Sequence, residues 1–243
     1  MTTKQVWTSY SEDLKRFIIS KVKNKAIADD ILQDTFISIS GGDFSPIING
    51  KRITLNSRIQ VFENDVLSFG KINFGVRCYL AIKGGFQIKK VLGSRSFYLG
   101  LTSQHLLRKG DVLPIGDLTN EKSLSHAVVK VDRALFTDTS LSVYPGPEYE
   151  LLSVAEKTQL KMSEFAISND NNRMGYRLEG LVQNELPSML TSAVLPGTVQ
   201  LTPSGGLIIL MRDCQVTGGY PRVLQLSEQS INRLAQKTTG DKI

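Results

Sequence analysis

The chain has 243 residues, 41% of them hydrophobic and 20 of them glycine, enough to bury a sizeable core as one large β-rich domain or two smaller ones. A formal charge of +6 is modest at this length, and the 29 lysines and arginines are scattered among 23 acids, so charge alone implies no nucleic-acid partner. The two cysteines, Cys78 and Cys214, lack CxxC spacing, the start lacks the apolar core of a signal peptide, and no apolar run approaches the roughly 18 residues of a membrane span. A soluble protein of the reducing cytoplasm is the expectation, with no disulfide framework and no zinc site.

From Ser11 to Phe36 apolar residues recur at helical spacing, first Leu14, Phe17, Ile18 and Val22, then Ala28, Ile31, Leu32 and Phe36, which predicts a helical hairpin. After Ile39 the period changes to two. Asn49-Gly50 is a predicted tight hairpin turn, and Asn64-Asp65 and Lys109-Gly110-Asp111 are further reversals. Predicted strands are Arg58 to Phe62, Val66 to Phe69, Arg77 to Ile82, Val112 to Ile115, Leu141 to Tyr144, Phe165 to Ser168, Gly175 to Leu178, Val199 to Thr202, Leu207 to Met211 and Val223 to Leu226. Helices are predicted over Tyr149 to Met162 and over Gln229 to Gln236, the second with Ser227 as N-cap. The polar stretch Asp117 to Ser140 reads as an interdomain connection.

Residues fit for chemistry collect in the turns of the carboxyl-terminal half. They form the blocks Asn172-Arg-Met-Gly-Tyr-Arg-Leu178, Gly197-Thr-Val-Gln200 and Asp213-Cys-Gln-Val-Thr-Gly-Gly-Tyr-Pro-Arg222. Together with Ser40-Gly-Gly-Asp-Phe-Ser-Pro46, Asn49-Gly50, Leu67-Ser-Phe-Gly70, Tyr79-Leu-Ala-Ile-Lys-Gly-Gly85 and Val91-Leu-Gly-Ser-Arg-Ser96, they resemble the carboxyltransferase-like C subunit of ATP-dependent 5-oxoprolinase. That family is also called allophanate hydrolase subunit 2 or sporulation-inhibitor antagonist, and is similar to part of the carboxyltransferase domain of urea carboxylase. The resemblance covers about residues 37–243. It implies a mainly β fold with a few helices, built as two cyclophilin-like, β-barrel-type subdomains, over 37–140 and 141–243. It also implies partner subunits B and A, and ATP-dependent opening of 5-oxoproline to glutamate.

An unstrained lactam is a poor electrophile, so phosphorylating its oxygen helps, and that step calls for cations and fixed dipoles. Arg173 and Arg177 fall on one face if Gly175 to Leu178 is a strand; either could hold a substrate carboxylate or a phosphate, or form a structural ion pair. Asp213 could act as a general base or orient a nitrogen, and it is also a common turn-former. Gly218 and Gly219 are expected in a tight turn whose N–H groups could approach an oxyanion, with Thr217 beside them. Gln200 and Gln215 could read a lactam's donor and acceptor together; Tyr176 and Tyr220 read either as site residues or as core aromatics. Ser94 and Arg95 offer a hydroxyl and a guanidinium in a loop, and Cys214 is a faint nucleophile candidate. His105 and His126 have no neighbours at metal-ligand spacing, no GxxxxGK[ST] loop occurs, and no Ala-Met-Lys-Met biotin-attachment sequence is present. The expectation is therefore no metal or biotin site, with ATP bound unconventionally or with partner subunits.

Residues 1–36 depart from the family pattern. The segment from Ser11 to Phe36 resembles the start of region 2 of an extracytoplasmic-function sigma factor, which implies an RNA polymerase contact through residues 11–36; an amphipathic hairpin packed on the β-domain is the equal alternative. On either reading the first β-subdomain is expected to be incomplete. Two helices are a poor replacement for paired strands.

Overall fold

A computed structural model describes residues 35–116, 128–187 and 189–243. The expected helical hairpin lies outside these residues except for its last two, and those are not helical. Thr35 and Phe36 open strand β1 (Thr35–Asp43), paired antiparallel with Val61 and Gln60 of β4 (Ile59–Val61). The alternation that buries Ile37 and Ile39 begins there and overrides the helical spacing that ends at Phe36.

The described residues form two compact units, one holding 35–40, 45–70, 79–116 and 128–130, the other 41–44, 71–78, 131–187 and 189–243. In the first, β2 (Ile47–Ile48) lies between β3 (Lys51–Arg52) and β5 (Leu67–Ser68). Asn49 and Gly50 join β2 to β3 with φ of 49° and 80°, the paired positive values of the predicted turn. Asn49 fixes the turn by donating to Asp65 Oδ1 at 2.6 Å and accepting from the Val66 N–H at 3.0 Å. The expected strand Val112 to Ile115 is reduced to a single bridge from Ile115 to Phe86; Val112 is 87% exposed, so the run has no face to bury. Strand β6 (Phe74–Ile82) completes a sheet of order β4-β1-β6.

The second unit is built on a six-stranded antiparallel sheet. Its strands are β7 (Val143–Pro145), β8 (Ala166–Asn171), β9 (Gly175–Leu181), β11 (Thr198–Leu201), β12 (Gly206–Leu210) and β14 (Arg222–Leu226), in the order β7-β14-β11-β12-β9-β8. The chain end continues it: Phe165 and Ile243 exchange both backbone hydrogen bonds, at 3.0 and 2.9 Å. A separate pair, β10 (Ser192–Ala193) and β13 (Thr217–Gly218), was not foreseen from the sequence. The sheets of the described residues are several and open, so the barrel closure implied by the resemblance is corrected; the mainly β architecture stands.

Among the described residues, helices accompany the sheets at three places. Within the stretch expected as a connection, α1 (Ala134–Thr137) forms and buries Phe136, whose ring meets Phe74 at 4.8 Å. The single helix expected over Tyr149 to Met162 is two elements, a 3-10 turn at Tyr149–Leu151 and α2 (Val154–Met162). Ser153 separates them with a capping box: its hydroxyl accepts from the Glu156 N–H at 3.3 Å, and its own N–H donates to Glu156 Oε2 at 2.6 Å. Helix α3 (Glu228–Leu234) starts at the predicted N-cap Ser227 and buries Ser230, Ile231 and Leu234 against the sheet. No helix among the described residues is long and apolar enough to cross a membrane.

Candidate functional site

Strand β11 reads Thr-Val-Gln-Leu and is buried throughout, because it runs inside the sheet and is covered on both faces. Alternation sends Val199 and Leu201 to the core, and Gln200 to the opposite face. Pairing continues that position across the sheet: Arg177 of β9 lies opposite Ile208 of β12, Ile208 opposite Gln200, and Gln200 opposite Arg222 of β14. One cross-strand row therefore carries Arg177, Ile208, Gln200 and Arg222. At the usual strand spacing, Arg177 and Gln200 stand roughly 10 Å apart along it.

Gln200 is 2% exposed, and its Nε2 has no hydrogen-bond partner among the described residues. Gly218 of β13 covers it. A Cβ built on Gly218 would lie 2.4 Å from Gln200 Nε2. Gly218 and Gly219 were expected in a tight turn; instead Gly218 is paired with Ser192 in β13, neither glycine has positive φ, and Gly218 serves close approach. Thr217 and Gly219 are exposed, as are Gln215 and Tyr220.

Arg222 is held firmly. Its Nε and Nη2 donate to Glu148 Oε2 and Oε1 at 3.0 and 2.7 Å, its backbone N–H donates to Glu148 Oε2 at 2.8 Å, and its Nη1 donates to the Ala193 carbonyl of β10 at 2.8 Å. The fork of hydrogen bonds from Arg222 holds the Glu148 carboxyl below its ordinary range despite partial burial, and the same bond raises the Arg222 guanidinium further. This pair links the β10–β13 cover to the main sheet. Sequence reasoning placed Arg222 only at the end of a motif and missed Glu148 altogether; the Gly146-Pro147-Glu148 turn was the one available signal.

The two arginines of the first predicted block, Arg177 and Arg173, are surface groups. Arg177 Nε lies 2.6 Å from Asp170 Oδ2, with both side chains more than half exposed. Arg173 Nε lies 3.0 Å from Asp213 Oδ2. Bonds from the Met211 N–H to the Met174 carbonyl and from the Asp213 N–H to the Arg173 carbonyl carry the β9–β12 ladder past the strand ends, which places Arg173 and Asp213 at one end of the sheet. Beside them, burial first and the Asp213 charge second push the Cys214 thiol up, away from the thiolate a nucleophile needs.

Two predicted residue groups fall elsewhere. Tyr176 is fully buried in the core, and its hydroxyl has no partner among the described residues. Ser94 and Arg95 belong to the first unit: the Ser94 hydroxyl accepts from the Ser96 N–H at 3.1 Å, and Arg95 donates to the Ile88 carbonyl and to Gln87 Oε1. Those contacts are local loop contacts.

The family described as carboxyltransferase domain, subdomain A and B, matches residues 25–243. The chain belongs to this family. The match begins inside the segment that resembles a sigma factor. Among curated relatives, the 5-oxoprolinase C subunit of Escherichia coli (strain K12) is 31% identical over 216 residues, covering 86% of this chain and 68% of the relative. The corresponding C subunit of Haemophilus influenzae is 29% identical over 221 residues, covering 87% and 69%. Urea amidolyase of Lachancea kluyveri is 39% identical over 118 residues, 48% of this chain and 6% of that protein. The crystal structure of TTHA0988 superposes with a TM-score of 0.71 at 26% identity, over 87% of this chain and 42% of that one, so the chain spans about two-fifths of the solved protein.

Proposed function

We propose that this chain is part of an ATP-dependent amidohydrolase of the 5-oxoprolinase type, working with partner subunits A and B to open 5-oxoproline to glutamate. The observation that carries the reading is the cross-strand row of Arg177, Gln200 and Arg222 in a chain whose relatives include two 5-oxoprolinase C subunits over most of its length. Gln200 supplies an amide donor left unsatisfied in a dry setting, the kind of group that reads a lactam or carboxylate oxygen. Arg177 supplies a guanidinium engaged by an exposed aspartate, a partner that a phosphate or substrate carboxylate can replace at small cost. ATP, when bound, supplies the phosphoryl group that activates the lactam oxygen. Arg173 and Asp213, paired at one end of the same sheet, are the candidates for a second anion contact or a general base.

Coexpression with candidate A and B subunits, followed by glutamate formation from 5-oxoproline with and without ATP, tests this. Turnover that requires all three chains and ATP supports it; no turnover in the assembled complex refutes it. The stretch of 39% identity to urea amidolyase favours one second reading, action on a urea-type amide. Urea offered in place of 5-oxoproline to the same complex separates the two.

A further inference from the structure

Gln200 carries a buried donor that its surroundings leave unused, and a two-stranded ribbon stands over it. Gly218 of β13 meets the amide, and Val194, which follows β10, is buried beside them, its Cγ1 3.4 Å from a Cβ built on Gly218. With the ribbon down, Gly218 occupies the place that a ligand oxygen would take at Nε2. A ligand reaches Gln200 only when β10 and β13 lift. This step rests on the reading of Gln200 as a substrate contact.

The ribbon is lightly held. β10 and β13 pair over two residues, and the Val194 N–H donates to the Val216 carbonyl at 3.0 Å. Among the described residues, the one hydrogen bond from these two strands to the six-stranded sheet joins the Ala193 carbonyl to Arg222 Nη1 at 2.8 Å. Apolar anchoring is slight: Leu190, Leu195 and Val216 are 91, 68 and 77% exposed, and of residues 189–194 and 214–219 Val194 alone is buried. A segment with few buried contacts opens locally at low cost. Its fixed points lie just outside it, at Pro196, whose carbonyl accepts from Gln225 Nε2 at 2.8 Å, and at Pro221, whose carbonyl accepts from the Leu201 N–H at 3.0 Å. Gly219 stands between Gly218 and Pro221; beyond its chain neighbours, a Cβ built there approaches nothing more closely than the Met189 carbonyl oxygen, at 3.9 Å. It is the residue free to absorb a change of backbone angle.

We propose that β10 and β13 form a lid, hinged at Gly219 and latched by Arg222, that lifts to admit a substrate oxygen to Gln200 Nε2. Introduced thiols report its motion. In the full chain, Gln200→Cys places a thiol under the lid, and Val199→Cys places one on the core face of the same strand. Iodoacetamide should label position 200 at least about tenfold faster than position 199, because lid opening exposes the first and only global unfolding exposes the second. Gly219 lacks positive φ, so Gly219→Ala fits the closed backbone, restricts the open one, and should slow labelling of position 200 about two- to fivefold. In the complex with A and B subunits, Gly219→Ala should lower kcat/KM for 5-oxoproline by a similar factor. Equal labelling at positions 199 and 200 overturns the lid. So does unaltered labelling after Gly219→Ala, or unaltered kcat/KM in an active complex. If Gln200→Cys does not fold, wild-type hydrogen exchange decides: a Val194 amide about tenfold faster than the Leu201 amide supports the lid, and equal rates overturn it. Labelling requires no turnover, so a lid that opens in a complex making no glutamate overturns the proposed reaction alone.

Discussion

Gly218 and Gln200 touch: the α-carbon of the glycine covers the amide of the glutamine so closely that a methyl group there would fall 2.4 Å from Gln200 Nε2. Two residues distant in sequence thus define one feature, a buried amide under a glycine lid, and its behaviour is open to measurement. In Gly218→Ala the amide must move within a packed interior, so destabilisation by about 1–3 kcal/mol is expected in urea unfolding. In the assembled complex, turnover should fall by more than this stability loss explains. An unchanged urea midpoint would show that the amide has room to yield.

Arg177 and Arg173 separate structure from function. Both pairs are exposed, so Arg177→Ala and Arg173→Ala should each change stability by less than about 1 kcal/mol. Under the proposed function, Arg177→Ala should nevertheless lower glutamate formation at least tenfold. Full activity with an unaltered melting temperature would remove Arg177 from the site.

Glu148 sets an acid limb. Its folded pKa lies below the ordinary value of 4.5, so its contribution to stability is complete above that value and is lost as pH falls through the depressed folded one. Urea midpoints from pH 7 down to pH 3 should therefore hold and then drop for wild type. Glu148→Gln leaves Arg222 half-buried without its anion, lowers stability by about 2–4 kcal/mol at pH 7, and removes this part of the acid dependence. Equal acid limbs in the two proteins would contradict the assignment.

Cys214 should alkylate slowly. Burial and the neighbouring Asp213 raise its pKa above 9.0, so iodoacetamide modification at pH 7 should lag behind a free thiol and accelerate only as pH rises past that of ordinary cysteine. Asp213→Asn should speed it modestly, read by mass spectrometry of the peptide. Rapid labelling at pH 7 would show an activated thiol instead.

Hydrogen exchange should rank the elements. Amides of β11 and β12, inside the six-stranded sheet and next to buried Val199, Leu201, Leu207 and Ile209, should exchange most slowly. Those of the two-residue strands β2, β3 and β5 should exchange early. The reverse order would place the stable core elsewhere.

The sequence alone determined what depends on neighbours along the chain. Period-two runs located most strands of the main sheet, Asn49-Gly50 marked the β2–β3 turn, and Ser227 the cap of α3, because alternation, positive φ and capping are decided within a few residues. Only the tertiary structure decided what depends on register and cover. It made Thr35 and Phe36 strand residues, paired Arg222 with Glu148 across 74 positions, sent Tyr176 into the core, and turned Gly218 from a bend into a lid over Gln200. Strand pairing brings such partners together over distances that local pattern does not encode, and burial then fixes whether each polar group serves as a paired structural element or as an unsatisfied donor.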